Sequence, residues 1–293
     1  MSRIICIGEL MTDVVALLND EITYGSDTPV KITYNGGGAA ANVASWLGVK
    51  GADVTLVARV GEDASGVDAV REVERCKVKS AVVADPRSAT GTVIVLVTPN
   101  GERTMLPDSG ANGFLEAKDV PALNSSDRVY VSGYLLLNPQ SREVAREILN
   151  AARDAGAQIL VDPASIAPIL LVGASNFLRW MGKIDVLLAN LDEARALTDE
   201  SDPWRAAEKL LGSAQTVIVK LGADGAIGLT ESESAQVPAL AVDHVIDTTG
   251  AGDSFAAGFL LTNENLEESL RSGAKVAAEC VVSVGARPQV AKS

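Results

Sequence analysis

The chain has one histidine, His244, and only three cysteines, Cys6, Cys76 and Cys280, in 293 residues. A single histidine cannot supply a metal pair, and no Ser or Cys nucleophile is arranged to engage it. His244 is therefore read as structural or solvent-facing. Three widely spaced cysteines without C-x-x-C spacing show no metal pattern and argue against a disulfide framework. Free thiols predict a reducing, cytoplasmic setting. Basic residues are scarce too: 25 Lys and Arg face 38 Asp and Glu, a net charge of −13. That balance argues against nonspecific binding to nucleic acid or to an anionic membrane, but leaves room for a local basic site. Long apolar runs are missing. "IAPILLVGASNFL", residues 166–178, is too short to span a bilayer, contains Pro, Ser and Asn, and predicts core. The N-terminal "MSRIICIGELMTDVV" carries too short an apolar run for a secretion signal, and Glu9 and Asp13 follow at once. The glycine fingerprint of a dinucleotide fold is absent after the first strand, as is the Walker G-x-x-x-x-G-K-[ST] loop. No fixed-period repeat and no low-complexity segment occurs.

What is present is an ordinary globular composition, 47% apolar. "RIICIGEL", "DVTLVARVG", "DRVYVSGY", "AQILVDPA", "DVLLAN" and "TVIVKLG" read as strands, apolar throughout as if buried on both faces. Helical patterns lie between them. "AANVASWLGVKG" ends in a capping Gly, "SREVAREILNAARDAGA" starts with a Ser cap, and "DPWRAAEKLLGS" has Pro in its first turn. The alternation predicts βαβ units and an α/β fold with a mostly parallel sheet. Residues 14–35 and 88–113 break the pattern, reading as strands and turns without helix. "ATGTVIVLVTPNGERTML" is a hairpin. Inserted β segments of this kind predict a small second sheet, a lid beside a cleft; an antiparallel extension of the main sheet is the other reading.

Four segments carry candidate chemistry. In "DTTGAGDSFAAGFLL", Asp247 to Gly252 form a loop running into a helix start. Gly250, Ala251 and Gly252 leave the backbone N–H groups open to an anion, with phosphate the obvious candidate. Asp253 then lies beside that anion, where a carboxylate is costly unless it accepts a proton from an attacking hydroxyl. The same residues also make a plain helix N-terminus. In the Gly-rich run from Gly36, Asn42 offers a donor and an acceptor suited to sugar hydroxyls, or to a buried hydrogen bond. In "ANLDEARAL", Asn190 and Glu193 have the spacing of a capping box, which the spacing alone favours. The alternative is a phosphate-side Asn with a Glu that orders Mg²⁺ through water. In "VIVKLGADGAIG", Lys220 ends a strand, where open α/β sheets bind ligands, and the chain turns through Gly222.

Together these pieces resemble the ribokinase-like, PfkB-type carbohydrate kinase family. "GGGAAANVASWLGVKGADVTLVARVG" and "DTTGAGDSFAAGFL" are similar to its paired signatures. "GTVIVLVTPNGERTM", "NLDEA" and "KLGADG" lie between them in family order. The resemblance spans nearly the whole chain. It implies a three-layer α/β sandwich with a mostly parallel central sheet and a small β-sheet lid, in one kinase domain over residues 1–293. It further implies transfer of the ATP γ-phosphoryl group to a hydroxyl of a sugar or nucleoside. By the family pattern, Asp253 is the base, and the N–H groups of Gly250, Ala251 and Gly252 form the anion hole. Asp13, Gly38 and Asn42 hold substrate hydroxyls. Asn190, Lys220 and Gly222 serve the nucleotide, and Glu193 serves Mg²⁺ through water. Asp247 lies near a site for a monovalent cation, K⁺, and the lids of several members pair to make a dimer.

The chain departs from ribokinases at Met11, Ala39 and Leu137 or Asn138, where they carry Asn, Lys and Glu, which argues against ribose. Its glycine run is closer to fructokinase-like members, with Ala40 in place of their Pro. Arg103 and Lys31, in the lid segments, either reach an acidic or phosphorylated substrate or form a solvated edge. Three other readings stand beside the sugar kinase. An adenosine-type kinase would use Tyr24, Tyr34 or Phe114 to stack a base. A non-catalytic binding protein on the same fold would not need Asp253 intact. A nicotinamide-dependent dehydrogenase fails on the missing fingerprint.

Overall fold

A computed structural model describes residues 2–100, 102–262 and 265–290. The strands among them are β1 (Ile4–Ile7), β2 (Met11–Leu17), β3 (Lys31–Gly37), β4 (Val54–Gly61), β5 (Lys79–Asp85), β6 (Thr92–Val97), β7 (Arg103–Asp108), β8 (Arg128–Ser132), β9 (Gln158–Asp162), β10 (Ile184–Asn190), β11 (Ala214–Lys220), β12 (Ala226–Leu229) and β13 (Ser234–Val237). Nine of them form one sheet in the order β13-β12-β11-β10-β9-β8-β1-β4-β5. From β11 through β5 every pairing is parallel; β12 and β13 add an antiparallel edge. The run "IICI" explains why β1 is central. The pleat turns Ile4 and Cys6 into the core on one face of the sheet, and Ile5 and Ile7 into the core on the other.

Helices cover both faces, completing three layers. Ala39–Val49, Ala64–Arg75, Ala251–Leu260 and Leu266–Cys280 pack on the first face, and Arg142–Asp154, Ala174–Met181, Leu191–Thr198 and Pro203–Leu210 on the second. Gly51, just past the first of these helices, has the left-handed φ of 85° expected of a capping glycine. Pro203 opens its helix, as the sequence predicts, and Asp202 caps it, accepting from the Arg205 N–H at 2.9 Å. Ser141 differs: its hydroxyl donates to the Leu135 carbonyl at 2.9 Å instead of capping the helix it precedes. The segment 166–178 is also less buried than its composition predicts. It forms parts of two short helices, with Ile169 and Phe177 inside but Leu170 and Leu171 64% and 88% exposed. The three cysteines are buried and unpaired. No helix among the described residues is long and apolar enough to cross a membrane.

The remaining four strands form a separate sheet, β3-β2-β6-β7, so the inserted segments are not an extension of the main one. It occupies 11–37 and 92–108, a few residues wider than the first predicted segment and narrower than the second. β6 and β7 pair antiparallel from Thr92–Asp108 to Val97–Arg103 as the predicted hairpin. Gly101 of its turn lies outside the described residues. Register places Asp13, Asn35, Val93 and Pro107 in one row across the sheet, and Lys31, Leu17, Val97 and Arg103 in another row on that same face. Tyr34, Val14, Ile94 and Leu106 form a row on the opposite face.

Candidate active site

The carboxyl ends of the parallel strands converge below the lid, and most of the candidate residues are there. β9 ends at Asp162, β10 at Asn190 and β11 at Lys220. The Lys220 ammonium pairs with Asp162 Oδ2 at 2.5 Å, both side chains being about a tenth exposed or less. Lys220 Nζ also lies 3.3 Å from where a Cβ on Gly252 would be, so the lysine faces the glycine loop directly.

That loop is built as its composition predicts. Gly250 caps the helix Ala251–Leu260 with φ 76°, the left-handed region. A Cβ there would lie 2.5 Å from that of Ala286, so conformation and space both demand glycine. The Ala251 N–H is directed at the Thr248 carbonyl, 3.2 Å away. Gly250 and Gly252 keep N–H groups without an internal acceptor among the described residues. Asp253 follows in the first turn, and Asn42 Nδ2 donates to its Oδ2 at 2.8 Å. Gly38 caps the helix that carries Asn42 and accepts its backbone N–H at 2.9 Å.

Electrostatics here is dominated by crowded acids around one lysine. Burial pushes Asp253 up to about 7; Asp162 and Glu9 add to the rise, while the Asn42 hydrogen bond and Lys220 oppose it. Glu193 is also raised to about 7, by burial and then by Asp162, against Lys220. Glu9, behind β1, reaches about 7 through burial, and its Oε2 finds no hydrogen-bond partner among the described residues. Asp13 in β2 packs against Gly37 and is raised to about 6 by burial, with Arg287 pulling it back.

Asn190 and Glu193 form the capping box that their spacing favours. The Asn190 amide oxygen accepts from the Glu193 N–H at 2.9 Å, and the two Glu193 oxygens accept from the Asn190 N–H and Nδ2 at 2.8 and 2.7 Å. Each oxygen retains a lone pair, so the cap is compatible with a water-mediated hold on Mg²⁺. No group of three acids, histidines or cysteines among the described residues makes a metal cage, so such an ion would depend on phosphate and water ligands. Gly222 turns with φ 62° in open space, with nothing near its missing side chain.

Asp247 stands apart from Asp253. Its Oδ1 accepts from Arg103 Nη2 and the Thr249 N–H at 2.6 and 2.7 Å, and its Oδ2 from the Gly285 N–H at 2.9 Å. Arg103 also donates to the Thr249 hydroxyl, so this lid residue reaches the glycine loop itself. Lys31 is exposed and makes no ion pair among the described residues, and His244 is exposed in a loop. Two hollows, of about 760 and 920 Å³, lie elsewhere: at Arg59, Asp85 and Arg87, and at Arg153, Lys183 and Asp185. Neither is lined by Asp162, Glu193 or Asp253.

Three residues of the site escape the motifs. Asp162 ends β9 in "LVDP", and the strand-end argument that selects Lys220 could have found it. Glu9 follows β1 in the same way. Arg287 lies beyond every recognised segment, and no local signal marks it.

The comparisons with known proteins agree with the fold. The family model of the pfkB family carbohydrate kinases matches residues 1–292. An ATP-dependent ribose-1-phosphate kinase of Halopiger xanaduensis is 31% identical over 240 residues, 80% of this chain and 77% of that protein. A probable sugar kinase of Rhizobium etli superposes with a TM-score of 0.88 at 25% identity, over 98% of this chain and 95% of its own. An adenosine kinase of Sinorhizobium meliloti does so at 0.83 and 25%, over 99% and 96%. With a model that matches almost end to end on a three-layer α/β frame, the chain belongs to the pfkB family of carbohydrate kinases.

Proposed function

We propose that this protein is an ATP-dependent kinase that transfers the γ-phosphoryl group to a hydroxyl of a sugar or sugar derivative. The observation that carries the reading is Asp253. It is a carboxylate poised near neutrality, held by Asn42, one residue from bare N–H groups at a helix start. The acceptor oxygen attacks the γ-phosphorus as its proton passes to Asp253. The bond to the β-phosphate oxygen breaks and ADP departs. The Gly250–Gly252 backbone receives charge on the moving phosphoryl group. Asp13, Gly38 and Asn42 hold the acceptor, and Asn190, Lys220 and Gly222 hold the nucleotide. Mg²⁺, ordered through water by Glu193, would neutralise phosphate charge. At Asp247 the Arg103 guanidinium already provides a counter-charge, so K⁺ activation requires that arginine to give way.

A nucleoside acceptor has less support. Tyr24 is 92% exposed, and Tyr34 is on the lid face opposite Asp13 and Arg103. Phe114 lies under the Arg87 guanidinium, 4.8 Å from its ring centre. None of the three offers a face for a base beside Asp253. The test is ADP release from ATP and Mg²⁺ with a panel of sugars, sugar phosphates and nucleosides. Turnover with one or more sugars or sugar phosphates, and none with adenosine, is expected. Turnover with adenosine alone would reverse the order, and none with any acceptor would remove the kinase reading.

The outer lid row supports a further proposal, pairing with a second copy. Ile32, Tyr34, Ile94 and Leu106 are 52%, 73%, 44% and 52% exposed on one face of the sheet. Sedimentation should give a dimer that the double change Ile32→Glu, Leu106→Glu converts to monomer. A monomeric parent protein would refute it.

A further inference from the structure

Arg287 follows the last helix and is only 5% exposed, an unusual place for an arginine. Its guanidinium ties three elements together. Nη2 donates to the Gly37 carbonyl at 2.6 Å, and Nε donates to Asn42 Oδ1 at 3.2 Å. Nη1 lies 3.0 Å from Glu72 Oε2, an ion pair without the alignment of a hydrogen bond. Asn42 then passes the connection on, its Nδ2 donating to Asp253.

Chemistry fixes the order of this relay. A guanidinium has donors only, and an ionised carboxylate has acceptors only. The amide between them must turn its oxygen to Arg287 and its NH₂ to Asp253. The flipped amide would set donor against donor and acceptor against acceptor. Without Arg287, only the ionised Asp253 opposes the flip, and a protonated Asp253, able to donate, would accept it. We propose that Arg287 is a positioning residue for phosphoryl transfer, locking the Asn42 amide so that it always presents a donor to Asp253. This deepens the kinase reading and rests on Asp253 being its base.

The relay acts against a strongly opposed background. Glu9 from the loop after β1, Asp162 from the end of β9, and Lys220 from the end of β11 all act on Asp253. Tyr130 of β8, Tyr134, Glu193 and Cys280 of the last helix also feel its charge. Asp13 and Glu72 face Arg287 from the lid and the second helix. Burial, Asp162 and Glu9 favour the protonated acid, and the Asn42 donor is the largest opposing influence. A free amide would forfeit that influence and raise the titration of Asp253 further.

The experiment reads Asp253 directly and needs no substrate. Protein labelled with ¹³C at the aspartate carboxyl carbons is titrated by NMR, the Asp253 signal being identified by its loss in Asp253→Asn. Arg287→Met should move the Asp253 midpoint up by about half to one pH unit. Arg287→Lys, which keeps the charge without the fork, should move it part of the way. In an Asn42→Ala background, Arg287→Met should add less than half of that shift. An equal shift in both backgrounds would mean a plain charge effect and would overturn the relay, as would no shift at all. If Arg287→Met does not fold, Arg287→Lys in the two backgrounds decides by the same comparison. Turnover of Asp253→Asn tests the kinase reading separately, so the two can fail independently.

Discussion

Asp253→Asn is expected to lower kcat by about 10²–10⁴-fold while leaving nucleotide affinity little changed. The amide oxygen can still accept from Asn42, so the loop keeps its shape, but it cannot take the proton of the acceptor hydroxyl. The parent enzyme should show an acid limb near pH 7, the rate falling about tenfold per pH unit below it. The variant should have no such limb. Its stability should move the other way. An acid raised from its ordinary range to about 7 keeps its proton in the native state after the unfolded chain has lost it. It therefore favours folding at low pH and loses that contribution as pH rises toward 7. Removing the charge should raise Tm at pH 8 and change it little at pH 4. Steady-state kinetics and calorimetry across pH check both parts. Unchanged turnover would remove Asp253 as base.

Lys220→Met should be the more damaging change to the fold. Lys220 is the cation that Asp162, Glu193 and Asp253 share, and its ion pair with Asp162 is nearly closed to solvent. Breaking a buried pair from one side costs about 3–5 kcal/mol, because the carboxylate left behind is nearly closed to water and keeps only the Ala164 N–H, on its other oxygen. Urea unfolding at pH 8 should show a loss of that order. Asp253 and Glu193, which Lys220 holds down, should titrate still higher, carrying the acid limb of any surviving activity above pH 7. A loss below about 1 kcal/mol would mean that solvent reaches the pair.

Much of the frame was legible because it depends on local periodicity. Runs such as "IICI" and "DVLLAN" can only be buried on both faces, and the helices between them follow from signals such as Pro203 and Gly51. The lid was legible as a gap in that alternation. The glycine loop was legible because φ 76° at Gly250 and bare N–H groups leave few residue choices. Partnerships across the chain were not. Nothing in the sequence near residue 103 announces a bond to Asp247, nor near residue 287 one to Asn42. Such pairs are set by how the sheet and lid are brought together. Ser141 shows the limit at short range, since a closer carbonyl six residues back captured the hydroxyl that its helix start predicts as a cap.

The segment after the last helix gives the molecule a direction in time. Gly285 binds Asp247, the Ala286 carbonyl accepts from the Trp46 indole at 2.9 Å, and Arg287 fixes Asn42. All thirteen strands among the described residues precede these residues. During synthesis each of them is therefore made before the contacts that fix Asp247 and the oxygen of the Asn42 amide. A chain cut short before residue 285 is therefore expected to contain every described strand while lacking the contacts that fix Asp247 and the Asn42 amide.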